Sequence, residues 1–309
     1  MKQGWKSYLL YSSMVLFIGG FAYILVETIK AKNTGFETKT LWDWMELLII
    51  PAVLAGGATL LNRSERALER KIAEDRAKLE RDLATDRQQE AALQNYFDRI
   101  SELLLKEKLL TTQVAEVRDV ARTRTISTMR GLDINRSRLI VQFLAEAKLI
   151  TDEKSILNHA KMRGMNLQGT ALAGAFLQGA DLTGAFLQGA DLQEANLLQA
   201  NLKDADLREA NLFDAKLQYA TLSGANLEGA FLWRADLEKA NLQKANLKSA
   251  MLPSTNLAGA HLEEANFLGA NLQEANLAGT NLYKANLQEA FLEGANLAGA
   301  RMPDGTKHE

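Results

Sequence analysis

The sequence predicts a mixed, mainly β-solenoid protein in which a two-helix transmembrane hairpin and an α-helical stalk precede the solenoid. Three observations lead to this prediction. A five-residue repeat runs without interruption from 163 to 302, a charged helical pattern fills 63–110, and two apolar segments lie within 1–62. The repeat decides most of the fold, because its period fits neither one helix nor one strand.

Leucine occupies position 167 and every fifth position after it, and only Phe267 and Met302 depart from this rule in 28 units. The residue two places earlier is alanine in 24 of those units. A step of five residues advances about 140° beyond a full turn of an α-helix, so the leucines would spiral around all of its faces. In one long strand an odd period would send successive leucines to opposite faces. The chain must therefore turn within every unit.

Alanine and leucine of one unit are two residues apart, so they share one face of a short extended segment while the residue between them points away. If the segments wrap a common axis, equivalent residues stack coil upon coil at roughly 4.8 Å. Each coil then buries a face that its neighbour cannot bury alone. The alanines and leucines are accordingly the predicted core, and the outward positions remain free to vary.

Units such as 190–194 (ADLQE) and 240–244 (ANLQK) resemble the A(D/N)LXX pattern of the pentapeptide-repeat family. The resemblance implies a right-handed quadrilateral β-helix with four units per coil, and therefore about seven coils for 163–302. The segment 88–150 also resembles the helical segment that precedes such repeats in many membrane-attached bacterial members.

Two apolar segments predict a transmembrane hairpin in 1–62. Residues 7–26 contain no charged side chain, and a helix of this length at ~1.5 Å per residue crosses the ~30 Å hydrocarbon core. A cleaved signal peptide is the alternative, although no cleavage-site pattern follows. The second predicted helix, 42–61, is less apolar and contains Pro51, which would also suit a re-entrant segment.

Basic residues predict the orientation of this hairpin. They lie mainly before the first span and after the second, which favours a multi-pass cell (inner) membrane protein with both termini in the cytoplasm. The residues outside the spans are Lys2, Lys6, Arg63, Arg66, Arg70 and Lys71, against Lys30, Lys32 and Lys39 in the loop.

The segment 63–110 is predicted to form a long charged helix. Its apolar residues are spaced by four, seven and four, as in the seam of a short coiled coil, and Asp75 and Asp86 interrupt the seam. Like charges at i,i+4 disfavour an isolated helix, so self-association into a homo-oligomer is a hypothesis for this segment. The seam residues are Leu68, Ile72, Leu79 and Leu83.

A small helical connector is predicted for 111–162, and it contains a cluster of arginines. The arginines suit contact with anionic lipid headgroups, contact with an acidic partner, or an ordinary solvated helix face. They are Arg118, Arg122, Arg124, Arg130, Arg136 and Arg138.

Grouping the outward residues by a twenty-residue coil places large apolar side chains on one face of the solenoid. Clustered exposed aromatic residues suggest a contact site, while scattered surface residues are the plainer interpretation. The candidate partner-contact residues are Phe213, Phe231, Trp233, Met251 and Phe291, with Pro253 beside them. A turn signal at Pro303, Asp304 and Gly305 separates a tail, 303–309, from the solenoid.

Composition restricts the possible functions. The chain has no cysteine, which excludes disulfides, thiolate metal sites and thiol catalysis. Its net charge is −2, with 25 basic and 21 acidic residues in 1–162 but 10 and 15 in 163–302, so nucleic acid is not a predicted partner. No nucleophile-elbow, Walker or zinc-protease motif occurs, and neither enzymatic activity nor a cofactor is predicted.

The sequence therefore predicts a membrane-anchored, non-enzymatic scaffold whose solenoid binds an unidentified cytoplasmic protein, with the lipid bilayer as its second partner. One alternative is an oligomeric membrane effector or channel lined by Glu27, Asp43 or Glu46. The family resemblance implies a weaker alternative, a DNA-mimicking topoisomerase modulator, which would need denser acidic residues than the solenoid contains.

Overall fold

The computed structural model describes residues 49–107, 109–110 and 115–309. The first predicted span, 7–26, lies outside these residues, and so does the beginning of the second, 42–48.

The chain divides into two compact units, Met1–Arg81 and Asp82–Glu309. One helix, α1, extends over Ile50–Leu105 and comprises 56 residues. From residue 58 onward it lacks glycine and proline and is rich in alanine, leucine, glutamate, lysine and arginine, which favour helix. The buried residues of α1 all lie near its end, and they are Leu93, Tyr96 and Ile100.

The predicted localisation requires a correction. Within the residues that the structure describes, no helix is long and apolar enough to cross a membrane. Residues 50–61 of the second predicted span belong to α1, which continues directly into charged sequence from Arg63. This finding contradicts the prediction of a multi-pass cell-membrane protein with cytoplasmic termini, and it gives no support to a lipid bilayer as partner.

Two further helices, α2 (Ala115–Gly131) and α3 (Ile134–Glu146), pack beside the end of α1. The Asp133 side chain accepts a hydrogen bond from the Arg136 amide at 3.0 Å and caps the N-terminus of α3. The hydroxyls of Tyr96 and Thr125 lie 3.0 Å apart and join α1 to α2 inside the core.

The solenoid consists of parallel β-bridges between residues twenty apart, from Lys161↔Asp181 to Asn281↔Arg301. Twenty residues are four units, so each coil has four short segments, as the family resemblance implied. Each segment contributes an isolated bridge rather than a longer strand. The bridging residue is the one between alanine and leucine. The predicted β-solenoid is thereby confirmed.

Alanine and leucine form the core, as predicted, and those between Ala175 and Leu282 are almost all fully buried. Phe267 takes a leucine position and is also fully buried. Where threonine replaces alanine, its hydroxyl donates to a backbone carbonyl, so no buried donor is left unpaired. These bonds join Thr170 to Leu167, Thr255 to Leu232, and Thr280 to Leu277, at 2.8, 2.7 and 2.7 Å.

Every unit ends in a tight turn. In a representative unit the Ala195 amide donates to the Leu192 carbonyl at 3.0 Å, and Glu194 between them has a φ of +56°. A positive φ at the third residue is the mark of a type II turn. In 27 of the 28 units the last residue has a positive φ, and 15 of these residues are not glycine. In the final unit, 300–304, the positive φ falls on Gly305 instead.

The helical part and the first coil share one hydrophobic core. Met129 of α2 and Leu144 of α3 belong to the same cluster of buried residues as Met162 and Leu167. The helices therefore cover the N-terminal end of the solenoid. At the other end, Arg301 pairs in antiparallel fashion with Lys307.

Candidate functional site

One column of outward residues, with the positions beside it, contains three of the five aromatic side chains that are exposed in the described part of the chain. It runs through consecutive bridges along Ala171, Asp191, Asn211, Phe231, Met251, Asn271 and Phe291. We call this column, together with the two residues that follow each adjoining leucine, the aromatic face. All five predicted partner-contact residues lie on it, although Asn271 separates Phe291 from the other four.

The centre of the aromatic face is a cluster of rings. The rings of Phe213 and Trp233 meet edge to face, with centroids 6.1 Å apart and an interplanar angle of 83°. Phe231 and Trp233 are exposed, at 51% and 53%. Both rings point outward, and the side chain of Leu232 between them points into the core. A shallow apolar depression joins the cluster, lined by Gln193, Asn211, Phe213, Phe231, Trp233, Met251 and Pro253.

An ion pair borders this cluster. The Arg234 Nε lies 2.9 Å from the Asp214 Oδ1, and the Arg234 guanidinium lies 5.8 Å from the centroid of the Phe213 ring. This cation–π contact lies over the Phe213 ring and stabilises its position. Phe213 is half-buried, whereas Phe231 and Trp233 remain open to solvent.

The aromatic face is also the most acidic part of the solenoid. It contains five acidic residues and one basic residue, which give it a net charge of −4. The whole of 163–302 contains 15 acidic and 10 basic residues, a net charge of −5. The other three faces together therefore carry only −1. Its charged residues are Asp191, Glu194, Asp214, Arg234, Glu274 and Glu293. The sequence showed the small total charge but not this concentration on one face.

Three of the six predicted contact arginines bind backbone carbonyls at or near the start of the solenoid. Arg122 donates to the Ile156 carbonyl at 3.0 Å, Arg130 to that of Lys161 at 2.9 Å, and Arg138 to that of Gln168 at 2.7 Å. The acceptors lie 30 to 34 residues along the chain, so the sequence offered no local signal for these contacts.

Arg136 joins α1 to the start of α3. Its guanidinium lies 2.6 Å from Asp86 and 3.2 Å from Glu90, and it also pairs with Asp133 at 2.5 Å. The hydrogen bonds to Asp86 and Asp133 raise the pKa of Arg136 further above its ordinary value. Of the two remaining arginines, Arg118 is half-buried and Arg124 is exposed.

Among the described residues, no group of three or more histidine, aspartate or glutamate side chains is placed to hold a metal ion.

Comparison with known proteins agrees with the repeat geometry. The family model for pentapeptide repeats matches eight copies in overlapping segments that together extend from 157 to 304. The structure of HetL, a pentapeptide repeat protein from the cyanobacterium Nostoc sp. strain PCC 7120, is 35% identical. That match covers 49% of this chain and 86% of HetL, with a TM-score of 0.20. The chain belongs to the pentapeptide-repeat family.

Two further solved structures are similar. The pentapeptide repeat protein alr5209 from Nostoc PCC 7120 is 41% identical over 28% of this chain and 69% of its own, with a TM-score of 0.26. QnrB1, a plasmid-mediated fluoroquinolone resistance protein, is 18% identical over 45% of this chain and 84% of its own, with a TM-score of 0.33. A comparison with curated proteins finds no match.

Proposed function

We propose that this protein is a non-enzymatic interaction module and that the aromatic face is its contact surface. The ring cluster of Phe213, Phe231 and Trp233 supports the proposal, because exposed aromatic residues on an ordered face are typical of contact sites. Aromatic side chains also provide much of the binding energy at protein interfaces.

The surroundings of the cluster define the chemistry of its partner. A face of charge −4 attracts a basic surface and repels an acidic one. The open rings of Trp233 and Phe231 favour apolar side chains and can also accept a cation over their faces. The partner is therefore a protein surface on which basic and apolar residues alternate.

The DNA-mimicking alternative gains no support from this surface. A duplex mimic needs acids spread regularly over its length, whereas here the other three faces together carry only −1. Aromatic rings occupy the middle of the acidic face.

Site-specific photocrosslinking in cells tests the proposal. A photoreactive phenylalanine analogue replaces Phe231 in one variant and Phe186 in a matched control. Phe186 is similarly exposed, at 48%, but bridges to Asn166 and Asp206 on another face. We expect one defined adduct from position 231 and none from position 186, with the crosslinked peptide rich in basic and apolar residues.

The double substitution Phe213→Ser and Trp233→Ser should reduce this adduct at least tenfold while the circular dichroism spectrum stays unchanged, because both side chains lie outside the core. Equal crosslinking from positions 231 and 186, or an adduct that survives the double substitution, would contradict the proposal.

A further inference from the structure

An internal repeat of eleven residues lies within α1. Residues 63–73 (RSERALERKIA) and 74–84 (EDRAKLERDLA) are two copies of it. Eleven residues turn an α-helix by three full turns plus about 20°, so equivalent residues of the two copies lie almost in line. Leu68 and Leu79 are one such pair, and Ile72 and Leu83 are the other. These four residues form a nearly straight apolar stripe.

The stripe is open to solvent. Its members are exposed at 59% for Leu68, 43% for Ile72, 59% for Leu79 and 46% for Leu83. An exposed leucine alone is ordinary, but four aligned on one side of a helix leave an apolar surface that association would bury.

Charges of alternating sign border the stripe on both sides. One side presents Lys71, Lys78 and Asp82, with Asp75 at the edge of the stripe itself, and the other presents Glu69, Arg76, Glu80 and Arg87. When two such helices lie parallel, one side of the first meets the other side of the second. In such a pair Lys71 meets Glu69, Asp75 meets Arg76, and Lys78 meets Glu80. The helix is thus complementary to a second copy of itself.

We propose that two copies of this chain associate through the stripe of α1, in parallel and in register. An eleven-residue period corresponds to about 3.67 residues per turn, so the two helices run almost straight with a slight right-handed supercoil. This assembly is independent of the contact made by the aromatic face, since it involves a second copy and not a different protein.

The orientation follows from the ends of the stripe. An antiparallel pair that matched Leu68 with Leu83 would place Leu61 of one copy against Glu90 of the other. Glu90 is already paired with Arg136, so Leu61 would contact a charged side chain and bury no apolar surface against it. In a parallel pair Leu61, exposed at 65%, extends the apolar stripe by meeting its own equivalent.

The absence of cysteine from the full chain allows a clean test. Single variants Ile72→Cys and Leu79→Cys are prepared in the full-length protein, with Ala77→Cys as the matched control. Ala77 lies about 180° around the helix from Leu68. Under mild oxidation we expect at least tenfold more disulfide-linked dimer from positions 72 and 79 than from position 77.

A mixture of Leu68→Cys and Leu83→Cys chains tests the orientation. Parallel association gives dimers of each variant with itself, whereas preferential 68-to-83 linkage would overturn the parallel register. A monomer for the unmodified full-length chain in sedimentation, with equal crosslinking at 72, 79 and 77, would overturn the association itself. Because none of these residues lies on the aromatic face, the outcome is separate from that of the photocrosslinking.

Discussion

At the scale of the residue, the asparagine of the repeat is explained by the fold. The Asn246 Oδ1 accepts the amide of Lys248 at 3.3 Å, and its Nδ2 donates to the Asn226 Oδ1 one coil earlier at 3.0 Å. Asn266 continues the same ladder at 3.1 Å. An asparagine therefore closes its own turn and joins two coils. These outward residues serve stability, so candidate contact residues are better sought at positions outside the ladders.

Turn residues provide the first prediction on stability. Gly189 has a φ of +60°, and a Cβ added there would meet no atom within 4 Å. Substitution thus tests backbone conformation alone. Gly189→Asn should cost little, because asparagine tolerates this region, while Gly189→Val should cost roughly 1–2 kcal/mol more. Urea unfolding of the two variants measures the difference. Equal stabilities would show that φ does not limit the turn.

At the scale of the element, the joint between α1 and α3 depends on charge. The amide hydrogen bond from Arg136, followed by that from its guanidinium, lowers the pKa of Asp133 below its ordinary value. A carboxylate with a lowered pKa stabilises the folded state above its unfolded pKa. That contribution is lost as the pH falls through the folded pKa.

The substitution Asp133→Asn isolates this charge, since asparagine is an equally good N-cap. We expect the variant to be less stable than the natural protein at pH 7, and the difference to shrink as the pH falls below about 4. Urea unfolding followed by helical circular dichroism at several pH values measures it. A difference that stays constant with pH would rule out the charge as its cause.

At the scale of the whole molecule, stability in a solenoid is a sum over neighbouring coils, so a change at one end stays local. The tail adds hydrogen bonds to the last coil. The Met302 amide donates to the Thr306 carbonyl at 2.8 Å, and the Gly299 amide donates to that of His308 at 3.0 Å. Within the solenoid itself, the Arg301 guanidinium lies 4.4 Å from the centroid of the Tyr283 ring.

Removal of 304–309 should therefore loosen only the last coil. We expect amide hydrogen exchange at Gly299 and Met302 to accelerate at least tenfold, because both amides lose their acceptors. The Leu242 amide, which donates to the His261 carbonyl at 2.8 Å in mid-solenoid, should keep its rate. Accelerated exchange throughout the solenoid would show that the tail stabilises the rod as a whole.

The five-residue repeat was enough to predict the solenoid, its core and its turns. With a period of five, Ala225 and Leu227 are buried together when the chain turns within each unit, and every unit carries the same pattern. The sequence also placed Phe213 and Trp233 on one face once the coil length was known. It did not fix the localisation, because a hydropathy pattern describes a segment and not the helix that contains it, and α1 continues from 50–61 into charged residues.

The contacts of the arginines and the position of the acidic charge could be read only from the folded chain. Arg122, Arg130 and Arg138 reach carbonyls more than 25 residues away, and no spacing rule connects such distant partners. The −4 charge of the aromatic face likewise arises from stacking residues twenty apart. Local periodicity can be read from neighbouring residues in the sequence. These contacts, in contrast, form only when the coils have stacked and the helices cover the N-terminal end of the solenoid.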